Sequence, residues 1–502
     1  MGGKTEVLVV GAGASGLTLA CDLQRRGVNY RIVEAAARGF EGSRAKGVQP
    51  RSLEVFDDLG ALPRLESRAM LYPPLGVHLG PLSIRRTMIK RHEPTPDVPH
   101  ANTLLIPQYA TDASLRERLE ELGGRIEYGT RLVSLVQDDA GVTANVVNGD
   151  GAEEEIRARY LVGADGGGST VRRGVGIRFE GATDESDRMI VADLEVRGLS
   201  RDRWHIWPRL KGRFVALCPL PDGPFQLMLK LRAGDAAEFD TAAVHELAKT
   251  VLRSTRVQVD RVLWSSVWRP NTRLAEHYQA GRVFLVGDAA HVHPPTGAQG
   301  LNTGVQDAYN LGWKLGQVLA GAPNTLLDSY EAERQPVAAR VLGLATGLYA
   351  QMGDRPLAAT KRGDEERQLL LSYRGGPLGS EQGEPPAGVG AGDRAPDSPY
   401  LDATGERSTL FDAFRGPHFT VIVIGGRAIE AATRIQWPTA GAEVKVLALD
   451  GDNATWRQVY GVDSDAAVLV RPDGYVAAVI RPPFDALPSL LNLPLFPRTA
   501  AA

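Results

Sequence analysis

The sequence predicts an α/β protein in three parts: a dinucleotide-binding core with a parallel sheet, an antiparallel sheet domain interrupting it, and a small α/β unit at the C-terminal end. Three observations carry that prediction. Within residues 6–34 a strand, a glycine-rich turn, a helix and a second strand follow one another. From 178 to 273 the pattern changes to alternating apolar and polar runs, the signature of half-buried antiparallel strands. After a glycine- and proline-rich stretch at 375–399, residues 400–502 hold further strand patterns and no cysteine. At 502 residues the chain has room for two or three domains.

Residues 6–10 (EVLVV) form a short buried-type strand that runs into GAGASG, with Gly11, Gly13, Ser15 and Gly16. A helix follows over 17–26, Gly27 stops it, and a second strand over 30–33 ends on Glu34. Gly11 permits the tight turn, Gly13 lets backbone approach a pyrophosphate, and Gly16 lets helix and strand pack closely. Glu34 is placed to accept hydrogen bonds from a ribose. No arginine follows it, which favours the unphosphorylated ribose of FAD or NAD over that of NADP.

The basic loop 39–51 contains Ser43, Arg44, Lys46 and Arg51. Arg44 reads equally as a phosphate or ring contact and as part of a solvated loop. Residues 70–106 predict strands and loops, and Gln108 opens a helix carrying Leu115, Leu119 and Leu122. A meander over 125–147 leads to a strand at 156–162, which delivers GADGGGSTVRR. There Asp165 sits at the strand end and Ser169 caps a short helix. In the alternating region a helix is expected over 241–252. Trp204, Trp207, Trp264 and Trp268 either wall a pocket for a flat apolar substrate or fill the core.

The run VFLV at 283–286 enters GDAAHVHPPTGAQGLNTG at 287–304, whose one carboxylate is Asp288. Glycines and prolines there let backbone approach a flat ligand, and the helix from about Leu301 aims its N-terminal amides at it. Strand, Gly-Asp or Asp-Gly, and helix thus recur at 163–172 and 285–304. His291 and His293 lack a third ligand and read as loop hydrogen-bonding groups, not a metal site.

Composition narrows the function class. Lys and Arg number 57 against 60 Asp and Glu, for a net charge of −3, so no general attraction to nucleic acid or anionic membrane is indicated. Cys21 and Cys218 form no metal or redox spacing, consistent with a reducing compartment. No apolar run spans a bilayer, and the first strand starts too early for a secretory signal, so a cytoplasmic protein is expected.

GAGASG with Glu34, SRAKGVQPRSLEVFDDLG at 43–60, YLVGADGGGSTVRR at 160–173 and VGDAAHVHPPTGAQGLNTGVQDAYNLGWKL at 286–315 occur in one order. Together they resemble the FAD-dependent group A aromatic hydroxylases, closest to polyketide- and antibiotic-tailoring enzymes. The resemblance implies a Rossmann-like FAD-binding domain at 1–177 with 274–374, some strands of 70–106 being shared with the substrate domain. It further implies a substrate-binding sheet domain at 178–273, a linker at 375–399, and a thioredoxin-like domain without redox cysteines at 400–502. Gly11, Gly13, Ser15 and Gly16 would cradle the FAD pyrophosphate and Glu34 the adenosine ribose. Arg44 and Gln108 would contact FAD, Asp165 would serve FAD and the nicotinamide cofactor, and Asp288 would hold the ribityl chain. Pro295, Gly297, Gly300, Leu301 and Asn302 would line the flavin ring.

With one dinucleotide fingerprint, FAD would be resident and NADPH or NADH transient. Dioxygen and a small aromatic substrate would react through a flavin hydroperoxide. No catalytic base is placed by motif; Arg44, Lys46 and Pro295 are the candidates. Lys46, where several relatives differ, joins Trp204, Trp207 and Trp268 as a substrate-pocket candidate. Baeyer–Villiger oxidation, epoxidation, dehydrogenation without oxygen insertion and a silent flavin-binding role stay open. WHIWP at 204–208 departs from the halogenase tryptophan motif. The tail is a candidate homodimer surface.

Overall fold

Val7, Leu8 and Val9 point alternately to opposite faces of one strand, yet all three are fully buried. This is the mark of a central parallel strand covered on both sides. In the computed structural model, which describes residues 3–80, 82–294, 298–354, 363–381, 388–402, 404–449, 454–462 and 465–497, that strand, Gly3–Val10, lies between Tyr30–Glu34 and Glu153–Gly163, parallel to both. Val283–Leu285 extends the parallel order beyond Glu153–Gly163. Arg131–Asp138 and Gly141–Val147 join as an antiparallel meander. The register aligns Val10 with Val33 and Gly163, and Gly163 with Leu285. The three glycine-bearing turns therefore leave the sheet at one edge, where ligands of open parallel sheets bind.

The second sheet has seven strands, in the order Gln258–Trp268, Met189–Arg197, Phe225–Lys230, Arg213–Pro219, Trp204–Leu210, Leu75–Leu79, Leu82–Arg86. All neighbours are antiparallel except Trp204–Leu210 with Leu75–Leu79. The hairpin Leu75–Arg86 thus belongs to this sheet although it lies within the first part of the sequence. Thr241–Leu252, the helix expected there, covers one face and buries Val244, Ala248, Val251 and Leu252 against it.

Helix Gly300–Leu319 is buried along almost its whole length, including Asn302, Asp307, Asn310 and Lys314. Its polar residues are paired. Asp307 meets Arg334 at 2.7 Å and His291 at 2.8 Å, and Lys314 meets Glu333 at 2.8 Å. Glu333 also pairs with Arg471 at 2.6 Å, and Arg471 with Asp473, which joins the C-terminal unit to the core through buried charges. Burial alone would push the Glu333 carboxyl up, but Arg471 and Lys314 outweigh it and hold it at about 2. The C-terminal unit is a five-stranded mixed sheet with Phe419–Ile424 parallel to Val444–Leu449 and antiparallel to Ala466–Val470.

One expectation fails here. Residues 375–399 were expected to be a linker, but part of that stretch is packed: Ala391, Ala395 and Ser398 are buried, and Arg394 pairs with buried Glu54 of the first domain. A composition rich in glycine and proline predicts irregular backbone, and irregular backbone can still be tied down by a charge pair. Among the described residues no helix is long and apolar enough to cross a membrane.

Candidate functional site

At the shared strand edge a cavity of about 810 Å³ opens, reaching from the first glycine turn to the second sheet. The turn Gly11–Gly16 supplies its nucleotide end. Gly11 has φ +104°, and a Cβ on it would stand 2.4 Å from the Ala164 carbonyl oxygen. A Cβ on Gly16 would stand 2.0 Å from the Gly11 oxygen. Both glycines are therefore required by packing. Gly13 differs: nothing lies within 4 Å of a Cβ placed there, and the residue forms cavity wall together with Ser15. Glu34 is half-buried; its Oε2 accepts from the Ala12 amide at 2.8 Å and its Oε1 from the Ala36 amide at 2.9 Å. The carboxylate braces the turn and keeps lone pairs free for a ribose.

Asp288 is exposed into the cavity from a single 3-10 turn, Gly287–Ala289, and Gly300 and Leu301 open the long helix at the wall beside it. The first turn of a helix leaves amides without intrahelical partners and a positive dipole end. That end opens on the cavity. Pro295 and Gly297 lie outside the described residues. His293 adds a group not foreseen as a site residue. Its Nδ1 lies 2.8 Å from the Pro294 oxygen, while its buried Nε2, on the cavity wall near Gly300, has no partner among the described residues. Burial holds the imidazole below its usual pKa.

Arg44 is exposed at the cavity, with its guanidinium 5.5 Å from the Phe40 ring centroid. Gln108 opens helix Gln108–Glu121 and lines the cavity, in reach of the Ala45 amide and of Asp112 at 3.5 Å each. Three expected contacts are corrected. The Asn302 side chain is fully buried and turned away from the cavity: its Oδ1 accepts from Gln49 N at 2.8 Å, and its Nδ2 donates to the Gly47 and Ala298 oxygens. It ties the 43–49 loop to the helix start. Asp165 is turned into the short helix Thr170–Gly174, accepting from Ser169 Oγ and from the Thr170 and Val171 amides, while Ala164, Gly166 and Gly167 form the wall.

Trp207 is the third correction. On strand Trp204–Leu210, side chains alternate, so Trp204, Ile206 and Pro208 face the cavity while Trp207 enters the core on the helix side, stacked on His78 at 4.6 Å. The same alternation brings Met189 and Val191, Gln226 and Met228, and Trp264 and Trp268 to the cavity face. Trp264, open from the sequence between pocket wall and core, is thus pocket wall; Gln226 was not singled out from the sequence, although parity counted from Trp204 along paired strands would have found it. Lys46 is half-buried in this wall, its Nζ 4.7 Å from the Trp204 ring centroid and hydrogen-bonded to Gln226 Oε1.

A nucleotide end of backbone amides, an open glycine and a braced carboxylate suit a dinucleotide. An aromatic end closed by three tryptophans suits a flat ring system. The comparisons agree with that division. The FAD binding domain family matches residues 4–345, and the aromatic-ring hydroxylase C-terminal family matches 389–489. A flavin-dependent monooxygenase of Mycobacteroides abscessus is 40% identical over 486 residues, 94% of this chain and 96% of that one. A 6-methylpretetramide 4-monooxygenase of Streptomyces rimosus is 35% identical, covering 94% and 90%. Among solved structures, an aklavinone-11 hydroxylase in complex with FAD and aklavinone superposes with a TM-score of 0.82 at 28% identity, covering 98% and 99%.

Proposed function

The chain belongs to the FAD-dependent aromatic-ring hydroxylases, and from that premise we propose that it hydroxylates a polycyclic phenolic substrate of the aromatic polyketide type, with NADPH or NADH as reductant. The observation that supports this most is the continuity of the cavity, from Gly13, Ser15 and Asp288 at one end to Trp204, Trp264 and Trp268 at the other. FAD, when bound, supplies the activation of dioxygen. In this reading Gly13 and Ser15 hold the pyrophosphate and Glu34 the adenosine ribose. Asp288 holds the ribityl chain, Arg44 and Gln108 make further cofactor contacts, and Gly300 and Leu301 adjoin the ring. Gly11, Gly16, Asp165 and Asn302 act through packing, by holding the loops that make those contacts.

The tryptophan wall keeps water away from the reacting end, where a protected environment is needed for oxygen to reach carbon and not be lost. We assign 1–177 with 274–374 to the FAD-binding domain, 178–273 with the hairpin Leu75–Arg86 to the substrate domain, and 400–502 to a thioredoxin-like unit. The last assignment is supported by its parallel strand–helix–strand followed by an antiparallel hairpin, and its lack of cysteine leaves it a structural part. The test is NADPH oxidation by FAD-loaded protein with and without 6-methylpretetramide or aklavinone, under isotopically labelled dioxygen. We expect the substrate to accelerate flavin reduction and the label to reach product. Failure of both, across such a panel, removes the hydroxylase assignment.

A further inference from the structure

Among the described residues, the substrate end of the cavity holds a cation with no carboxylate at ion-pair distance, and the reason is built into the hydrogen bonding behind it. The Asp193 carboxylate, on Met189–Arg197, accepts from the Ser43 amide at 2.9 Å and from the Ser43 hydroxyl. Its proton committed to Asp193, the Ser43 oxygen can only accept, and it does so from Gln226 Nε2 at 2.6 Å. The same nitrogen donates to the Ser43 carbonyl at 2.7 Å. The Gln226 amide is thereby oriented with its oxygen toward the cavity, and that oxygen accepts from Lys46 Nζ. A neutral dipole stands where an ion-pair partner would.

Among the described residues no carboxylate lies within ion-pair distance of Lys46, whereas Arg269 and Arg367, also at the cavity, are paired with Glu185 at 2.8 Å and Asp364 at 3.4 Å. The charged and titratable groups that bear on the amine are few. Asp193 acts on it from behind, already committed to Ser43, and the buried Cys218 thiol is pushed up to about 12 and stays neutral. Burial therefore prevails and lowers the lysine below its ordinary range. An ammonium that is poorly solvated, stacked over Trp204 and left with N–H groups for the cavity is a site for an oxyanion.

We infer that Lys46, kept unpaired by Gln226, selects the substrate through an acidic ring hydroxyl bound in its deprotonated form, as a phenolate or a vinylogous enolate. The hydroxyl proton goes to solvent, and the oxyanion takes the N–H groups that Gln226 leaves free. This deepens the cavity assignment above and rests on it. It predicts preference for hydroxyquinone-like and β-diketone-like aromatics over neutral ring ethers of the same shape.

The experiment uses alizarin, a hydroxyanthraquinone whose colour reports its ionisation, titrated into FAD-loaded protein across pH. In the wild type the bound dye should ionise at a pH at least about one unit below that of the free dye, a tenfold preference for the anion. Lys46→Met should abolish that shift and bind the anion about tenfold more weakly, with the flavin visible spectrum unchanged. Lys46→Arg should keep the shift. Gln226→Glu supplies the missing counter-charge with almost no change in shape, and should behave like Lys46→Met. Dye that ionises at the same pH in wild type and Lys46→Met, or Gln226→Glu that binds the anion as tightly as wild type, overturns the inference. FAD-loaded wild type that binds no alizarin at any pH overturns the cavity assignment beneath it.

Discussion

The strand–helix–strand unit Gly3–Glu34 and the one at Phe419–Leu449 share a topology, two parallel strands joined by a helix, and differ in what stands at their C-terminal edge. In the first, Gly13 faces open cavity and the second strand ends on Glu34, whose carboxylate braces the turn. In the second, Gly425 has φ +84° and a Cβ there would be 2.0 Å from Asp465 Oδ1, while the second strand ends on buried Leu449. The first buries its sheet and leaves its edge open. The second is pressed against the core, with Phe419 edge-on to Trp313 at 5.8 Å. A parallel βαβ unit is thus a scaffold, and the residues at its edge decide whether it binds anything.

The largest effect expected on this contrast is at the docking of the second unit. Arg471→Met leaves buried Asp473 without its cation and Glu333 with Lys314 alone, a loss of about 3–5 kcal/mol that urea unfolding should register as a lower midpoint; a change below about 1 kcal/mol would show the network to be dispensable. Next comes a charge behind the first unit. Asp112 is buried with one oxygen unpartnered, and burial raises its carboxyl to about 7 against the opposing pull of Gln108 and Arg116. A carboxyl raised in the folded state contributes stability that is complete below about pH 4 and lost as pH rises through 7. Asp112→Asn should therefore melt like wild type near pH 4 and gain about 2–4 kcal/mol over it at pH 8.5. A gain independent of pH would remove the charge from the explanation.

Smaller effects test the edge itself. Gly16→Ala drives a Cβ into the Gly11 carbonyl and should cost about 1–3 kcal/mol together with flavin retention. Gly426→Ala, in the second unit, meets nothing within 4 Å and should change stability by less than about 0.5 kcal/mol, leaving flavin content as it was. Equal losses from the two would erase the distinction. Glu34→Ala removes the brace at Ala12 and Ala36, and apoprotein titrated with FAD should bind about tenfold more weakly, about 1.4 kcal/mol. Unchanged affinity would assign the carboxylate to the turn alone.

Much of the first unit was legible from residue order. Gly11, Gly13 and Gly16 act within one turn, and Ser169 caps its helix three residues on, at Arg172 N. At the site residues, what residue order does not show is direction. Asn302 and Asp165 stand in the right loops, but their side chains are consumed by backbone groups nearby. Trp204 and Trp207 were grouped as one surface, although three residues apart on a strand is an odd number and sends them to opposite faces. The stretch 375–399 was read from composition, which is silent about Arg394 finding Glu54.

By itself the sequence determined the nucleotide edge of this protein, since its signals are turns, caps and strand ends that arise within a few residues. It determined as well that a sheet with tryptophans would follow. Only the tertiary structure decided which tryptophans face the cavity, that the C-terminal unit is joined to the core by buried charges, and that Lys46 meets Gln226, 180 residues away, and not a carboxylate. Those facts depend on strand register and on the pairing of distant loops. Register is set by the packing of whole faces, which no short stretch of chain contains.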